Sequence, residues 1–115
     1  MIDPIQLEVF KHRFAAIAEE MGVKTVYELY SDLGYDADGN LVITRAHDAH
    51  EPGDVASRVR KMVIDKKVAA LDGSEIDIEG ESVCVHCDTP GAFDIVKAVR
   101  DALVGAGCEL ASPAL

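Results

Sequence analysis

The chain has 115 residues, enough for one ordinary domain and too few for two. Hydrophobic residues make up 49% and charged residues 28%, a balance that suits a packed core and excludes a disordered segment. Lys plus Arg is 11 against 21 for Asp plus Glu, a net charge of -10, which argues against nucleic-acid and anionic-membrane partners because both need a basic face.

No apolar run approaches the ~20 residues of a membrane span, and the opening MIDPIQLEVFKHRF lacks a leader profile. Three cysteines without a leader do not make a disulfide scaffold, so the expected compartment is the cytoplasm.

In chain order, Asp3 as cap and Pro4 at the first helical position predict a helix. Its apolar stripe is Ile5, Val9, Phe10, Phe14, Ile17 and Met21, and Gly22 ends it. Val23 to Tyr30 reads as a strand, Ser31 to Asn40 as a punctuated stretch with an Asp38-Gly39-Asn40 turn, and Leu41 to Thr44 as a short strand. Arg45 to Gly53 reads as a loop; its His47, Asp48, His50 and Glu51 are ligand-competent, but a solvated connector is the expectation.

Asp54 is expected to cap a second helix with Val55, Val59, Met62 and Val63 on one face. Its Arg58, Arg60 and Lys61 form a small basic patch, expected to be a solvated helix face. Val68 to Leu71, a turn at 72–74 and Ile76 to Ile78 predict a hairpin. Ser82 to His86 predicts a core strand, and Thr89 as cap with Pro90 at the first position opens a third helix carrying Ile95, Val96, Val99, Ala102 and Leu103. Gly105 or Gly107 stops it, and Cys108 to Leu110 reads as one more strand. The pattern is that of an α/β chain built from parallel β/α units, with about three helices and five to six short strands.

Chemistry concentrates where the strand ending at His86 meets the third helix. Carboxyl ends of parallel strands gather active sites, and a helix start offers unpaired amides to a carboxylate or phosphate. His86 reads as a base or metal ligand, and Asp88 as a ligand or the group that fixes the imidazole; a capped turn with a satisfied histidine reads equally well. Glu28 and Asp32 lie on and just past the end of an earlier strand, where carboxylates are also presented.

Cys84 and Cys87 spell C-x-x-C, but if the strand persists to Cys87, three extended steps of ~3.3 Å separate their α-carbons by roughly 10 Å, too far for a disulfide without a turn. No second ligand pair completes a structural zinc site, so Cys84 is expected to be a small buried hydrophobe. The phosphate-binding loop, the dinucleotide fingerprint and the serine nucleophile elbow are all missing from the sequence.

The run from Val26 to Asp36, Asp38 to Val42, Arg58 to Val63 and above all Val83-Cys84-Val85-His86-Cys87-Asp88-Thr89-Pro90-Gly91-Ala92 resembles the LamB/YcsF family over about residues 18–110. That resemblance implies the A-type component of an ATP-dependent 5-oxoprolinase, a lactam hydrolase on a β/α barrel with its active site at the strand ends. It implies His86, Asp88, Glu28 and Asp32 as catalytic residues, with Thr89 and Gly91 at the substrate; the metal is left open. Three departures stand out: Cys87 replaces the usual Gly, Leu33 replaces an Arg, and the family's N-terminal half has no counterpart.

A complete eight-unit barrel takes ~250 residues, so a half-barrel-like domain over 23–110 is expected, followed by a tail over 111–115. The first helix, over 1–22, resembles the opening of hydantoinase/oxoprolinase B-type subunits and is read as a docking element. The implied partners are larger oxoprolinase- or hydantoinase-type subunits, or a second copy. The implied ATP is used by the complex and not bound by this chain alone. The alternative is a non-catalytic accessory subunit of such an assembly, ketone carboxylases included.

Overall fold

The computed structural model describes residues 13–43 and 49–113. The element order is α1 (13–20), β1 (Glu28–Tyr30), β2 (Gly34–Tyr35), β3 (Leu41–Val42), α2 (Pro52–Arg60), β4 (Lys67–Ala69), β5 (Glu75–Asp77), β6 (Ser82–Cys84) and α3 (Ala92–Gly105). A π-helical turn, Lys61–Asp65, extends α2 and ends at Lys66, which takes a left-handed conformation with φ 55°.

β1 and β6 pair in parallel with Leu29 opposite Val83. This parallel pair joins segments more than fifty residues apart, with α2 and the π-helical turn in the crossover between them. The other two sheets are antiparallel pairs, β2 with β3 and β4 with β5. Strand-forming sequence is therefore longer than paired sequence. Val23 to Tyr30 contributes only its last three residues, because β6 offers a ladder no longer than that. β2 falls inside the stretch expected to be a turn; Asp36 holds the connection to β3 by accepting from the amides of Asp38 and Asn40. The predicted β4–β5 hairpin forms, with Ser74 donating to Asp72 in its turn.

Two apolar clusters make the core. Val55 and Val59 of α2 meet Ile95, Val99 and Leu103 of α3, and Leu29, Tyr35, Met62 and Val68 form the second cluster beneath the sheets. Val63 and Val83 touch both, so the α2–α3 layer and the strand layer pack as one body.

Several boundaries differ from expectation. α2 begins at Pro52 with Glu51 as its cap residue, because a proline already fits the first helical position; Asp54 lies in the first turn instead. α3 begins at Ala92 rather than Pro90, because Gly91 takes φ 75° and the chain turns there into the helix. Residues 108–110 are irregular, not a strand. In α1, Ala18 turns inward while Ile17 and Met21 of the apolar stripe are exposed; Asp3, Pro4, Ile5, Val9 and Phe10 lie outside the described residues. No helix among the described residues is long and apolar enough to cross a membrane.

Candidate functional site

Side chains alternate along a strand, so Glu28 and Tyr30 of β1 share a sheet face with Ser82 and Cys84 of β6, while Leu29 and Val83 point to the core. Just past the carboxyl ends of these parallel strands the chain brings Asp32 and His86 together. Asp32 Oδ1 lies 2.7 Å from His86 Nδ1, and its Oδ2 accepts from the Thr89 hydroxyl at 3.2 Å. An imidazole whose Nδ1–H donates to a carboxylate presents Nε2 as its proton-accepting atom. That nitrogen lies 3.9 Å from Cys84 Sγ, and the ring stacks on Tyr30 with centroids 6.0 Å apart.

Asp32 and Thr89 are both buried, and the loop that carries Asp32 is held on both sides of it. Ser31 donates to Cys84 O through its amide at 3.1 Å and its hydroxyl at 2.7 Å. The Arg58 guanidinium donates to Ser31 O at 2.7 Å and to Leu33 O, and its charge sits 5.8 Å from the centre of the Tyr35 ring. The Tyr35 hydroxyl in turn accepts from the Tyr30 amide at 2.9 Å. Arg58 is thus not part of a solvated face: it clamps the loop, while Arg60 stays exposed and Lys61 pairs with Glu75. Its inward turn had a signal in the sequence, since Arg58 stands three residues after Val55 and four before Met62, within the apolar stripe. Ser31 and Tyr35 carried no comparable signal.

Burial, followed by the charges of Glu28 and Asp32, pushes the Cys84 thiol above its ordinary value. Cys84 is therefore a half-buried neighbour of the imidazole and not a plain core hydrophobe. Burial and Glu28 likewise raise the Tyr30 hydroxyl, and burial lowers the Arg58 guanidinium against the opposing pull of Tyr35 and Asp32.

The remaining expected residues sit around this centre. Glu28 is exposed on the shared face, and Asp88 is exposed in the turn after His86; it is Asp32, not Asp88, that orients the imidazole. Gly91 is exposed at the start of α3. Cys84 and Cys87 are both free thiols. His50 and Glu51 are exposed, and His47 and Asp48 lie outside the described residues. Among the described residues no three His, Cys, Asp or Glu side chains are arranged to hold a metal ion.

Comparison with known proteins gives this geometry its context. The model of the LamB/YcsF family matches residues 4–114, which takes in the first helix as well as the strand-end motif. The chain is 45% identical over 100 residues to the A component of 5-oxoprolinase from Cutibacterium acnes, covering 85% of this chain and 39% of that one. It is 48% identical over 101 residues to the corresponding 5-oxoprolinase component of Mycolicibacterium gilvum, covering 86% and 40%. The crystal structure of a lactam utilization protein from Thermus thermophilus superposes with a TM-score of 0.70 at 31% identity, over 82% of this chain and 38% of that one. The chain spans about two fifths of the length of these relatives.

Proposed function

We propose that this chain, which belongs to the LamB/YcsF family, supplies the acid–base corner of an enzyme that opens a small lactam ring, 5-oxoproline being the substrate its relatives' names indicate. The observation that carries this reading is the Thr89–Asp32–His86 chain of hydrogen bonds at the carboxyl ends of two parallel strands.

Lactam hydrolysis forms a bond from a water oxygen to the ring carbonyl carbon and breaks the carbonyl carbon–nitrogen bond. A base takes the water proton and an acid delivers a proton to the departing nitrogen. His86 serves both steps: Nε2 takes the first proton and returns it to the ring nitrogen, while Asp32 holds the opposite side of the imidazole. Thr89 is a positioning residue, fixing the second oxygen of Asp32. Glu28 and Asp88 stand at the open rim, where a carboxylate accepts a hydrogen bond from the ring N–H. The opening turn of α3, entered through Gly91, suits the substrate carboxylate.

The work is assigned to an assembly. The relatives are named as the A subunit of 5-oxoprolinase, and that name supports larger oxoprolinase- or hydantoinase-type subunits as the partners. ATP consumption, which supplies the free energy for ring opening, is assigned to the assembly as a whole. The second reading is a non-catalytic accessory subunit of such an assembly.

One experiment separates them. Purified alone, the chain is expected to leave 5-oxoproline and ATP unchanged. In an assembly reconstituted with its partner subunits, His86→Ala and Asp32→Asn each lower kcat by about 10²- to 10⁴-fold, with circular dichroism confirming the fold. Unchanged turnover in both folded variants refutes the catalytic reading and leaves the accessory one.

A further inference from the structure

The proton-accepting nitrogen of His86 is aimed at a thiol. Cys84 Sγ lies 3.9 Å from Nε2, within reach of a sulfur donor. With Nδ1–H given to Asp32 Oδ1 at 2.7 Å, Nε2 acts as the acceptor, so the thiol is the donor in this contact. A proton that faces the base is therefore the one on Cys84. The three side chains stand in the order of a nucleophile, a base and the carboxylate that orients the base.

The fold assembles this order from two strands. Cys84 ends β6 with His86 two residues on, and Asp32 arrives from just past the end of β1, which runs parallel beside it. The imidazole is held from two sides, by the Asp32 carboxylate and by the Tyr30 ring stacked on it at 6.0 Å. Cys84 shares its sheet face with Glu28 and Tyr30 and is half-buried. Burial, Glu28 and Asp32 keep its proton in place at rest, so the thiol acts when a bound carbonyl lets His86 take that proton, as hydroxyl nucleophiles do.

We infer, on the lactam reading given above, that Cys84 is the nucleophile of the ring opening and carries the opened substrate as a thioester. In the first stage the thiol proton passes to His86 Nε2 and the sulfur bonds to the ring carbonyl carbon. The carbonyl carbon–nitrogen bond breaks, and the proton on Nε2 moves to the departing nitrogen. In the second stage a water oxygen bonds to the same carbon and gives its proton to Nε2. The carbon–sulfur bond then breaks and that proton returns to sulfur. The sum is lactam plus one water giving the ring-opened acid, with no change of oxidation state and with ATP consumption in the assembly supplying the free energy. A thiol fixed on the protein replaces a diffusing water for the attack on an amide, and the thioester it forms yields to water more readily.

The test uses the assembly reconstituted with its partner subunits, turning over isotope-labelled 5-oxoproline and ATP. Quenched in acid, the wild-type chain is expected to carry label on Cys84, placed there rather than on Cys87 by peptide fragmentation. The mass gain is one whole substrate, because a lactam adds to a thiol without losing water, and hydroxylamine removes it. Cys84→Ala and Cys84→Ser each lower kcat at least about 10²-fold with little change in KM, circular dichroism confirming the fold. Serine restores a hydroxyl donor beside Nε2 but not the sulfur, so it rescues a thiol that merely positions the imidazole and fails to rescue a nucleophile.

Folded variants that keep kcat within about tenfold of wild type, a serine variant that recovers the loss seen with alanine, or label on Cys87 instead overturn the inference. Turnover that survives loss of the thiol but not loss of His86 removes the nucleophile and leaves the lactam reading standing. An assembly containing the wild-type chain that leaves 5-oxoproline unchanged removes both.

Discussion

Replacing Arg58 by Met keeps the apolar stem of the side chain and removes its charged head. Two charge-assisted hydrogen bonds, to Ser31 O and Leu33 O, are lost together with the contact over Tyr35. At the low end of ~1.5 kcal/mol for each bond to a charged group, and ~0.5 kcal/mol for the cation–ring contact, the sum is ~3.5 kcal/mol. Arg58 is only half-buried, and water reaching the released carbonyls reduces that to ~2–3 kcal/mol.

Urea denaturation followed by circular dichroism measures the loss as a fall in midpoint at constant slope. Arg58→Lys keeps the charge but presents no planar fork, so it reaches one carbonyl at a time and recovers about half of the loss. The same clamp holds the loop that carries Asp32, so the proton signal of the His86 Nδ1–H broadens in Arg58→Met. A loss below about 0.5 kcal/mol, or equal stability of the Lys and wild-type proteins, refutes the argument that a two-pronged clamp holds this loop.

Other outcomes follow from packing and charge. A β-carbon added at Gly80 meets Leu29 Cγ at 2.7 Å and Tyr27 O at 3.0 Å, and Leu29 is fully buried, so Gly80→Ala costs ~1–3 kcal/mol in a denaturation midpoint. The nearest atoms to a β-carbon at Gly34 belong to the Leu71 side chain, from 2.7 Å; that side chain is exposed and swings aside, so Gly34→Ala costs less, and the reverse order refutes the packing argument. With iodoacetamide at pH 8, exposed Cys87 reacts ahead of Cys84, whose thiol is pushed up by burial and by Glu28 and Asp32; Glu28→Gln speeds Cys84 and leaves Cys87 unchanged. Because the folded thiol holds its proton more tightly than the unfolded one, its contribution to stability is present below the ordinary thiol value and is lost as pH rises through the folded value. Cys84→Ala flattens that alkaline decline in a denaturation series, and an unchanged decline refutes the assignment.

Much of the local structure is legible in the sequence because it depends on neighbours in the chain. The 3.6-residue spacing of Val55, Val59 and Met62, and of Ile95, Val99 and Leu103, marks the helix faces that meet in the core. Turn residues at 72–74 place the β4–β5 hairpin, and the strand-end motif from Val83 to Ala92 identifies the family. Helix starts are less legible, because a glycine with positive φ or a proline one position away decides them as well as a capping side chain does.

The sequence by itself therefore determined the class of fold, the family, and His86 and Asp32 as residues of interest. Only the tertiary structure decided that these two meet each other, that Thr89 serves Asp32, and that Asp88 stands apart. It also turned Arg58 from a surface charge into the clamp of the Asp32 loop, and it left 108–110 unpaired. The physical reason is separation along the chain. Asp32 and His86 are 54 residues apart, and a hydrogen bond or a strand pairing over that distance depends on which partner the fold delivers, a property that no local spacing encodes.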